Sequence, residues 1–330
     1  MSRTFEHAQF AHCESGVVST LLSSYGLKIS EPMAFGITSS LSFVYFPIIK
    51  ISNMPLIAYR NLPKNIINNI SKVLGIEMVK KQYKNPVDAN NDLTKFVQNN
   101  QLVGLQTSVF YLPYFPKDMR FHFNAHNLLV VGKENSNYTI SDPVFETIMT
   151  CDEKELTKAR FARGIFAPKG FLYYPKHIPK DIDLSRSIKK AIVKNAKALL
   201  TPFPYAGVKG MRKLASKISA LKVDNNERYI KNFLTHIVRM QEEIGTGGGG
   251  FRFLYAAFLQ EAKAYHLDEN ILEEASNLFV KSGNALREFA LLCVESSKKL
   301  ERFNPENIAN KLIEASQYEE KAALLLKKIV

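Results

Sequence analysis

Residues 126–142 read HNLLVVGKENSNYTISD. Two runs rich in β-branched and aromatic residues flank the polar segment KENSN, which predicts a β-hairpin with strands at 126–132 and 138–142. Pairing Gly132 with Tyr138 makes His126 and Asp142 diagonal neighbours on one face, with their backbones roughly 7–8 Å apart. The hairpin therefore predicts an imidazole–carboxylate pair at its open end.

A cysteine stands just before the first predicted helix, Glu14–Tyr25, which ends before Gly26. Free backbone N–H groups and the positive end of the helix dipole at this position favour the thiolate of Cys13, the reactive form of the side chain. If the helix packs across the open end of the hairpin, Cys13, His126 and Asp142 form a nucleophile–base–acid triad.

Each member of this triad also has a purely structural interpretation. A cysteine before a helix is commonly a small buried residue, a strand histidine can be satisfied by one hydrogen bond, and Asp-Pro often starts a turn. Three histidines are alternative bases, namely His7, His12 and His122. Cys151 and Cys293 are interpreted as structural, and three cysteines without a CxxC pattern predict neither a disulfide framework nor a metal site.

The composition is that of an ordered globular protein. The chain has 330 residues, of which 46% are hydrophobic and 23% charged, and this length predicts two domains, which we place at 1–180 and 181–330. No run approaches the roughly 20 apolar residues that a membrane span needs. Residues 1–10 are polar, unlike a signal peptide. We therefore expect no membrane span and a cytoplasmic location.

The two halves of the chain have different patterns. The first mixes helices with short strands, and the second is helical throughout, which predicts an α+β fold followed by an all-helical domain. Beyond the elements above, the first half has predicted helices at 63–74 and 88–100 and strands at 75–82, 102–110 and 171–174. The second half has predicted helices near 183–200, 206–221, 225–244, 251–266, 269–282, 284–301 and 305–329.

The formal charge of +13 is concentrated in one stretch. Between Arg186 and Arg239 there are thirteen basic residues and only two acidic ones. Such a surface attracts acidic partners and accelerates their encounter. The alternatives are a plain solvated helical face, an acidic protein partner, and nucleic acid or membrane. No zinc-finger or RRM motif supports nucleic acid.

A glycine-rich run, Gly245–Gly250, precedes the helix beginning near Phe251. It is either a flexible connection or a site in which backbone amides and Arg252 bind a phosphate. No Lys-Ser/Thr follows it, so it is not a Walker A loop. The absence of HExxH, GxSxG and GxGxxG argues against a zincin, a serine hydrolase and a dinucleotide oxidoreductase.

Several motifs resemble the butirosin biosynthesis H acyltransferase family. They are HCESG at 12–16, YLPY at 111–114, the His126–Asp142 hairpin, GVKGMRKLA at 207–215 and GTGGG at 245–249. The resemblance covers nearly the whole chain and implies a papain-like cysteine domain with an associated helical domain. Two positions depart from the family pattern: Ser108 stands where an acidic residue is expected, and Lys133-Glu134 replaces an aromatic–acidic pair.

The resemblance implies a function as well as a fold. Proteins of that family take an acyl group from an acyl carrier protein thioester and pass it to an amine in natural-product biosynthesis. Carried over, Cys13 is the nucleophile, His126 the base and Asp142 the orienting acid. The expected substrate-binding residues are Glu14, Glu31, Tyr111, Tyr114, Gly247, Gly248 and Arg252.

The expected partners follow from this reaction. They are an acidic acyl carrier protein at Arg186–Arg239 and a small amine acceptor, without nucleic acid. No separate cofactor is expected, because the phosphopantetheine arm belongs to the substrate. A homo-oligomer is compatible with the sequence. The alternatives are a cysteine amidase or peptidase that uses the same triad, and a degenerate scaffold that only binds a partner.

Overall fold

The computed structural model describes residues 5–51, 53–224, 226–244 and 247–329. The helices are α1 (Cys13–Ser24), α2 (Glu31–Ile37), α3 (Asn65–Leu74), α4 (Pro86–Gln98), α5 (Glu153–Arg160), α6 (Leu184–Leu199), α7 (Gly207–Ser219), α8 (Glu227–Val238), α9 (Arg252–Ala262), α10 (Glu269–Lys298) and α11 (Pro305–Leu326). The strands are β1 (Leu41–Ile51), β2 (Met54–Arg60), β3 (Glu77–Lys81), β4 (Val103–Thr107), β5 (His126–Glu134), β6 (Asn137–Ser141), β7 (Met149–Asp152) and β8 (Leu172–His177).

The chain divides into two compact units. The first comprises residues 1–34 and 63–182, and the second comprises residues 35–62 and 183–330. A sheet dominates the first unit and helices dominate the second, so the α+β fold class with a helical C-terminal part is confirmed. Among the helices in the described ranges, none is long and apolar enough to cross a membrane.

The first unit is built on a six-stranded antiparallel sheet in the order β3-β8-β4-β5-β6-β7. All five residues of β4 are buried, as expected for a strand covered on both faces. Apolar side chains from β4, β5 and β6 form one core with residues of α4 and α5. The sheet thereby provides a rigid support at the end where β5 begins and β6 ends.

The β5–β6 hairpin has the predicted register at its open end but not near its turn. Leu129 pairs with Ser141 and Val130 with Ile140, as expected, whereas Gly132 pairs with Thr139 instead of Tyr138. A β-bulge between Val130 and Gly132 accounts for the one-residue difference, because a bulge opposes two residues to one.

Helix α1 is the central helix of the first unit. Eleven of its 12 residues are buried, and it packs against β4, β5, β8 and α3. An ordinary surface helix buries only one stripe, so α1 is held from several sides. This packing gives its first turn a defined place in the unit.

The second unit combines the β1–β2 hairpin with α6–α11. The hairpin was not predicted. It joins this unit through hydrogen bonds of its backbone: Tyr45 N–H donates to the Tyr205 carbonyl at 2.9 Å, and the Leu41 carbonyl accepts from the Asn195 side chain at 3.0 Å. Segment 35–62, which was expected in the domain 1–180, therefore belongs to the second unit.

Helix α10 corrects the prediction of separate helices at 269–282 and 284–301. It runs without interruption through Gly283. The glycine serves a close approach, because a Cβ there would lie 2.7 Å from the ring of Phe253. Glycine in a helix signals either an end or a close contact, and here the packing of α9 selects the contact.

Candidate active site

Cys13 is the first residue of α1. His12 is its N-cap, and the His12 Nδ1 accepts a hydrogen bond from Ser15 N–H at 3.3 Å. The Cys13 Sγ lies 4.0 Å from the carbonyl oxygen of Ala125, the residue before β5, and the side chain is 7% exposed. The start of α1 and the start of β5 therefore meet, as the triad hypothesis requires.

The segment before α1 is tied to the end of the hairpin. Phe10 N–H donates to Pro143 O at 2.9 Å. His7 bonds to Ser141 Oγ at 2.7 Å and to Phe145 O at 3.1 Å. Because a carbonyl only accepts, His7 Nε2 is the donor and Nδ1 accepts from the serine hydroxyl. These bonds hold residues 7–10 beside the chain that follows β6.

His126 and Asp142 form the pair predicted at the open end of the hairpin. Nε2 of His126 lies 2.7 Å from Oδ2 of Asp142, and both side chains are buried. Because Nε2 is engaged with the carboxylate, it carries the hydrogen. Nδ1 is then the ring nitrogen left for proton exchange with a nucleophile.

The electrostatics of the site act on the His126 ring. Burial lowers its pKa, but the Asp142 carboxylate raises it through charge and hydrogen bonding, and a hydrogen bond with Cys13 adds to the increase. The balance raises the pKa of His126 to about 10. The imidazole is therefore protonated at neutral pH, and the Cys13 sulfur is one of its bonding partners.

Asp142 has two further donors. The Tyr114 hydroxyl donates to Oδ2 at 2.9 Å, and Val144 N–H donates to Oδ1 at 3.0 Å. Burial raises the pKa of Tyr114 well above its ordinary value, and the Asp142 charge adds to this, so the phenol remains a donor. Tyr114, expected to bind substrate, instead fixes the carboxylate of the His–Asp pair.

Aromatic rings cover the His126 ring. Phe115 packs edge-on against it, with ring centroids 5.4 Å apart, and Phe145 packs on Phe115 at 4.9 Å. Sequence reasoning did not identify Phe115 as a site residue, since an aromatic after a proline-containing turn carries no distinctive signal. These rings exclude water from the histidine and strengthen its bond to Asp142.

Glu31 supports the backbone that leads into Cys13. Its carboxylate accepts from Ala11 N–H at 3.0 Å, His12 N–H at 2.7 Å and Ser15 Oγ at 3.1 Å. Burial raises the pKa of Glu31 against the opposing effect of these donors. Its oxygens accept from these three protein donors, so Glu31, expected to bind substrate, instead holds the backbone at the start of α1.

Glu14 is likewise a structural residue rather than a substrate ligand. It is fully buried, and its carboxylate accepts from the backbone N–H groups of Lys64, Ile66 and Ile67 at 3.2, 3.0 and 3.3 Å. These are the unsatisfied donors at the start of α3. The side chain therefore caps α3 and joins it to α1.

Tyr111 lies apart from the hydrogen bonds of Asp142. It lines a cavity of about 330 Å³ whose other walls are Phe110, Pro113, Lys117, Arg120 and Glu155. His122, an alternative base, stacks on Phe110 at 4.0 Å between ring centroids. Tyr111 therefore stays a candidate for ligand contact, whereas His7 and His12 have structural partners.

The glycine-rich loop lies in the second unit. Gly245 and Thr246 fall outside the described residues. Gly247 and Gly248 have φ of +63° and +83°, which glycine adopts without strain. The next amide, Gly249 N–H, donates to the carboxylate of Glu242 at 3.1 Å. The Glu242 carboxylate is thus the acceptor for an amide of the loop that was expected to bind a phosphate.

Arg252 is not available for a phosphate either. It is fully buried and forms a bidentate ion pair with Glu319, with N···O distances of 2.8 and 2.9 Å. It also donates to Gly250 O at 2.7 Å. Arg252 therefore links α9 to α11 in the core of the second unit, which corrects its expected role in substrate binding.

Cys13 differs from the other two cysteines. All three are free and buried, but burial raises the pKa of Cys151 to about 12 and raises that of Cys293 even further. Among the described residues, no histidine contributes to the pKa shift of either of these two thiols. Both remain thiols at neutral pH, which leaves Cys13 as the cysteine with an adjacent base.

The arrangement of a cysteine at the start of a central helix beside a histidine–aspartate pair on an antiparallel sheet is that of papain-like cysteine enzymes. Residues 154–326 match the family model described as "Domain of unknown function (DUF4872)". This match covers more than half of the chain, which therefore belongs to that family. Residues 12–143 match the model described as "Butirosin biosynthesis protein H, N-terminal", so the resemblance stated from the motifs is confirmed.

One solved structure with similarity to the chain is described as a C39-like peptidase from Bacillus anthracis. The match covers 53% of this chain and 96% of that one, with 13% sequence identity and a TM-score of 0.38. No curated protein matches the chain.

Proposed function

We propose that the protein is a cysteine-dependent acyltransferase of natural-product biosynthesis. It moves an acyl group from the thioester of an acyl carrier protein to an amine through an acyl-Cys13 intermediate. The observation that carries the proposal is the placement of Cys13 at the start of α1 as a hydrogen-bonding partner of His126, whose Nε2 is held by Asp142.

In the first step the Cys13 thiolate attacks the thioester carbonyl carbon. A new C–S bond forms to Cys13 and the C–S bond to the phosphopantetheine sulfur breaks. The departing thiolate takes the proton from His126, whose ring becomes a neutral imidazole. One thioester replaces another, so the step is nearly balanced in energy and needs no ATP.

In the second step the amine attacks the acyl-cysteine. A C–N bond forms, the C–S bond to Cys13 breaks, and His126 accepts the proton that the amine loses. This restores the imidazolium and the thiolate. Asp142 keeps Nδ1 directed at the reacting atoms by holding Nε2. Amide formation from a thioester is downhill, so the second step drives the sequence.

The start of α1 suits the negative oxygen that forms in both steps. As the first helical residue, Cys13 has a backbone N–H without an intrahelical acceptor. We assign this N–H, with one neighbouring donor, to the oxyanion. Each such donor stabilises the transition state by about 3 kcal/mol.

Two features support the transferase over the hydrolase that the same residues could serve. Cys13 and His126 are 7% and 3% exposed, which limits the access of water to an acyl-enzyme. The basic stretch Arg186–Arg239 supplies the charge that an acidic carrier protein would recognise. A cysteine amidase or peptidase remains the alternative and needs only water as acceptor.

Intact-protein mass spectrometry tests the proposal. The protein is incubated with acyl thioesters of pantetheine and of a carrier protein, with and without a small primary amine. We expect an adduct of the acyl mass that persists without amine and disappears, with formation of the amide, when amine is added. The adduct is absent in Cys13→Ala and retained in Cys151→Ala, the matched control.

The other outcomes are equally definite. Prompt release of the free acid without amine would assign the protein to the hydrolases. An adduct that Cys13→Ala retains would exclude Cys13 as the nucleophile. No adduct from any thioester would contradict the transferase proposal altogether.

A further inference from the structure

A groove in the second unit is lined almost entirely by cations. Its volume is about 710 Å³, and its walls are Arg186, Lys189, Lys190, Val193, Lys194, Lys197, Lys327 and Ile329. Among the described residues, none that lines it carries a carboxylate. Lys327 and Ile329 follow α11, and all the other lining residues belong to α6, so the groove is mainly a feature of one helix face.

The spacing of the α6 residues explains the groove. Positions 186, 189, 190, 193, 194 and 197 repeat at intervals of three and four, which places them on one face of a helix. The opposite face buries Ile188, Ile192 and Leu199 against the rest of the unit. The sequence thus separates an apolar packing face from a basic face on the same helix.

The cations of this face differ in their pairing from other cations of the basic stretch. Among the described residues, none of the six groove cations forms an ion pair with a carboxylate. Other cations of the basic stretch are engaged. Arg212 pairs with Glu320, Arg239 lies 4.0 Å from Glu243, and Lys217 lies over the ring of Tyr229. Clustering unpaired like charges costs free energy, which an acidic ligand would offset.

We propose that the α6 face formed by Arg186, Lys189, Lys190, Lys194 and Lys197, together with Lys327, is the docking surface for the acyl carrier protein. This proposal rests on the proposed function and narrows its partner site from the whole Arg186–Arg239 stretch to one helix face. The occupant is an acidic amphipathic helix of the carrier, whose carboxylates pair with the cations while an apolar residue contacts Val193 and Ile329 at the groove floor.

The test compares two forms of the same acyl donor. The first is a holo-acyl carrier protein of bacterial fatty acid synthesis, loaded with the acyl group that labels Cys13 best. The second is the pantetheine thioester of that acyl group, which has no protein surface. Acylation of Cys13 is followed by mass spectrometry for the wild type and for Lys190→Glu/Lys194→Glu, in which two exposed cations of the groove are reversed.

We expect the α6 variant to lower the second-order rate constant with the carrier protein by about tenfold or more, because steering charges raise association rates by 10 to 10³. Its rate with the pantetheine thioester stays at the wild-type value, which also shows that the variant is folded. Rising salt should reduce the difference. The matched control Lys281→Glu/Lys298→Glu, two exposed cations on α10, should behave as wild type with both donors.

Three results would overturn the docking proposal while the proposed function stands. An α6 variant that reacts with the carrier at the wild-type rate would do so. An equal loss in Lys213→Glu/Lys217→Glu on α7 would spread docking over the whole stretch. If tripolyphosphate binds to the groove and the α6 variant still reacts with the carrier at the wild-type rate, the groove is a site for a small anion. By contrast, if neither donor acylates Cys13 of the wild-type protein, the proposed function itself is contradicted.

Discussion

The hydroxyl of Tyr114 lies 2.9 Å from Oδ2 of Asp142, the same oxygen that accepts the hydrogen bond from His126. Tyr114 therefore shares the carboxylate charge with the histidine. It acts on the proposed chemistry through Asp142, as a positioning residue, and does not need to contact the substrate.

Replacing Tyr114 with phenylalanine should move the titration of His126. With one donor fewer, the Asp142 charge is concentrated on the imidazolium, so the pKa of His126 rises further above its usual range. The ¹⁵N NMR titration of the His126 ring measures this shift. Tyr111→Phe is the control, because Tyr111 lines a separate cavity. A pKa of His126 that is unchanged in Tyr114→Phe would show that the phenol does not tune the pair.

Replacing Asp142 with asparagine should have the opposite effect on the same group. Burial, which lowers the pKa of His126, is then no longer opposed by the carboxylate charge. The imidazole loses its proton at neutral pH, and the alkaline limit of activity moves down from near pH 10. We expect acyl transfer at pH 7 to fall by about 10²–10⁴-fold, the usual contribution of acid–base catalysis.

The pH–rate profile of Cys13 acylation, with the free acyl thioester as donor, checks this prediction. The variant should also alkylate more slowly with iodoacetamide at pH 7, since the thiolate loses its positive neighbour. A profile with the wild-type alkaline limit in Asp142→Asn would mean that Asp142 does not control His126.

Glu14→Gln should affect stability and leave the chemistry intact. The glutamine carbonyl oxygen can keep the two bonds from Ile66 and Ile67 N–H, which both go to Oε1, but the –NH2 group in place of Oε2 cannot accept from Lys64 N–H. Loss of that bond and of the charge on the other two costs about 1–3 kcal/mol. Urea unfolding measures the loss. The control is Glu301→Gln, an exposed position, which should change stability by less than about 0.5 kcal/mol. If Glu14→Gln leaves the free energy of unfolding unchanged and raises the KM for substrate, Glu14 is a substrate-binding residue after all.

Arg252→Met should destabilise the second unit by about 3–5 kcal/mol, because it leaves Glu319 buried without its partner. The double variant Arg252→Met/Glu319→Met should recover part of this loss, since an apolar pair replaces two buried charges. A double-mutant cycle of unfolding free energies measures the coupling. Additive effects of the two substitutions would exclude the ion pair as the source of stability.

Much of the fold could be predicted because it depends on local patterns. Hydrophobic periodicity, terminating glycines and β-branched runs predict helix α1, helix α3 and five of the six strands of the sheet, but not the edge strand β7. The β1–β2 hairpin was not predicted either, since its strands are stabilised by residues far along the chain such as Tyr205 and Asn195. From its neighbours in sequence Gly283 predicts a helix end, because the Phe253 ring that requires a glycine there lies in a different helix.

The amino-acid sequence by itself determined the His126–Asp142 pair, because the two residues lie 16 positions apart on one hairpin and strand alternation decides which side chains share a face. It also placed Cys13 at the beginning of a helix. The tertiary structure alone decided that this cysteine lies against Ala125, 112 positions away, and that Glu14, Tyr114 and Arg252 bond to other groups of the protein. Burial and long-range hydrogen bonds assign those roles, and both arise only when distant segments pack together.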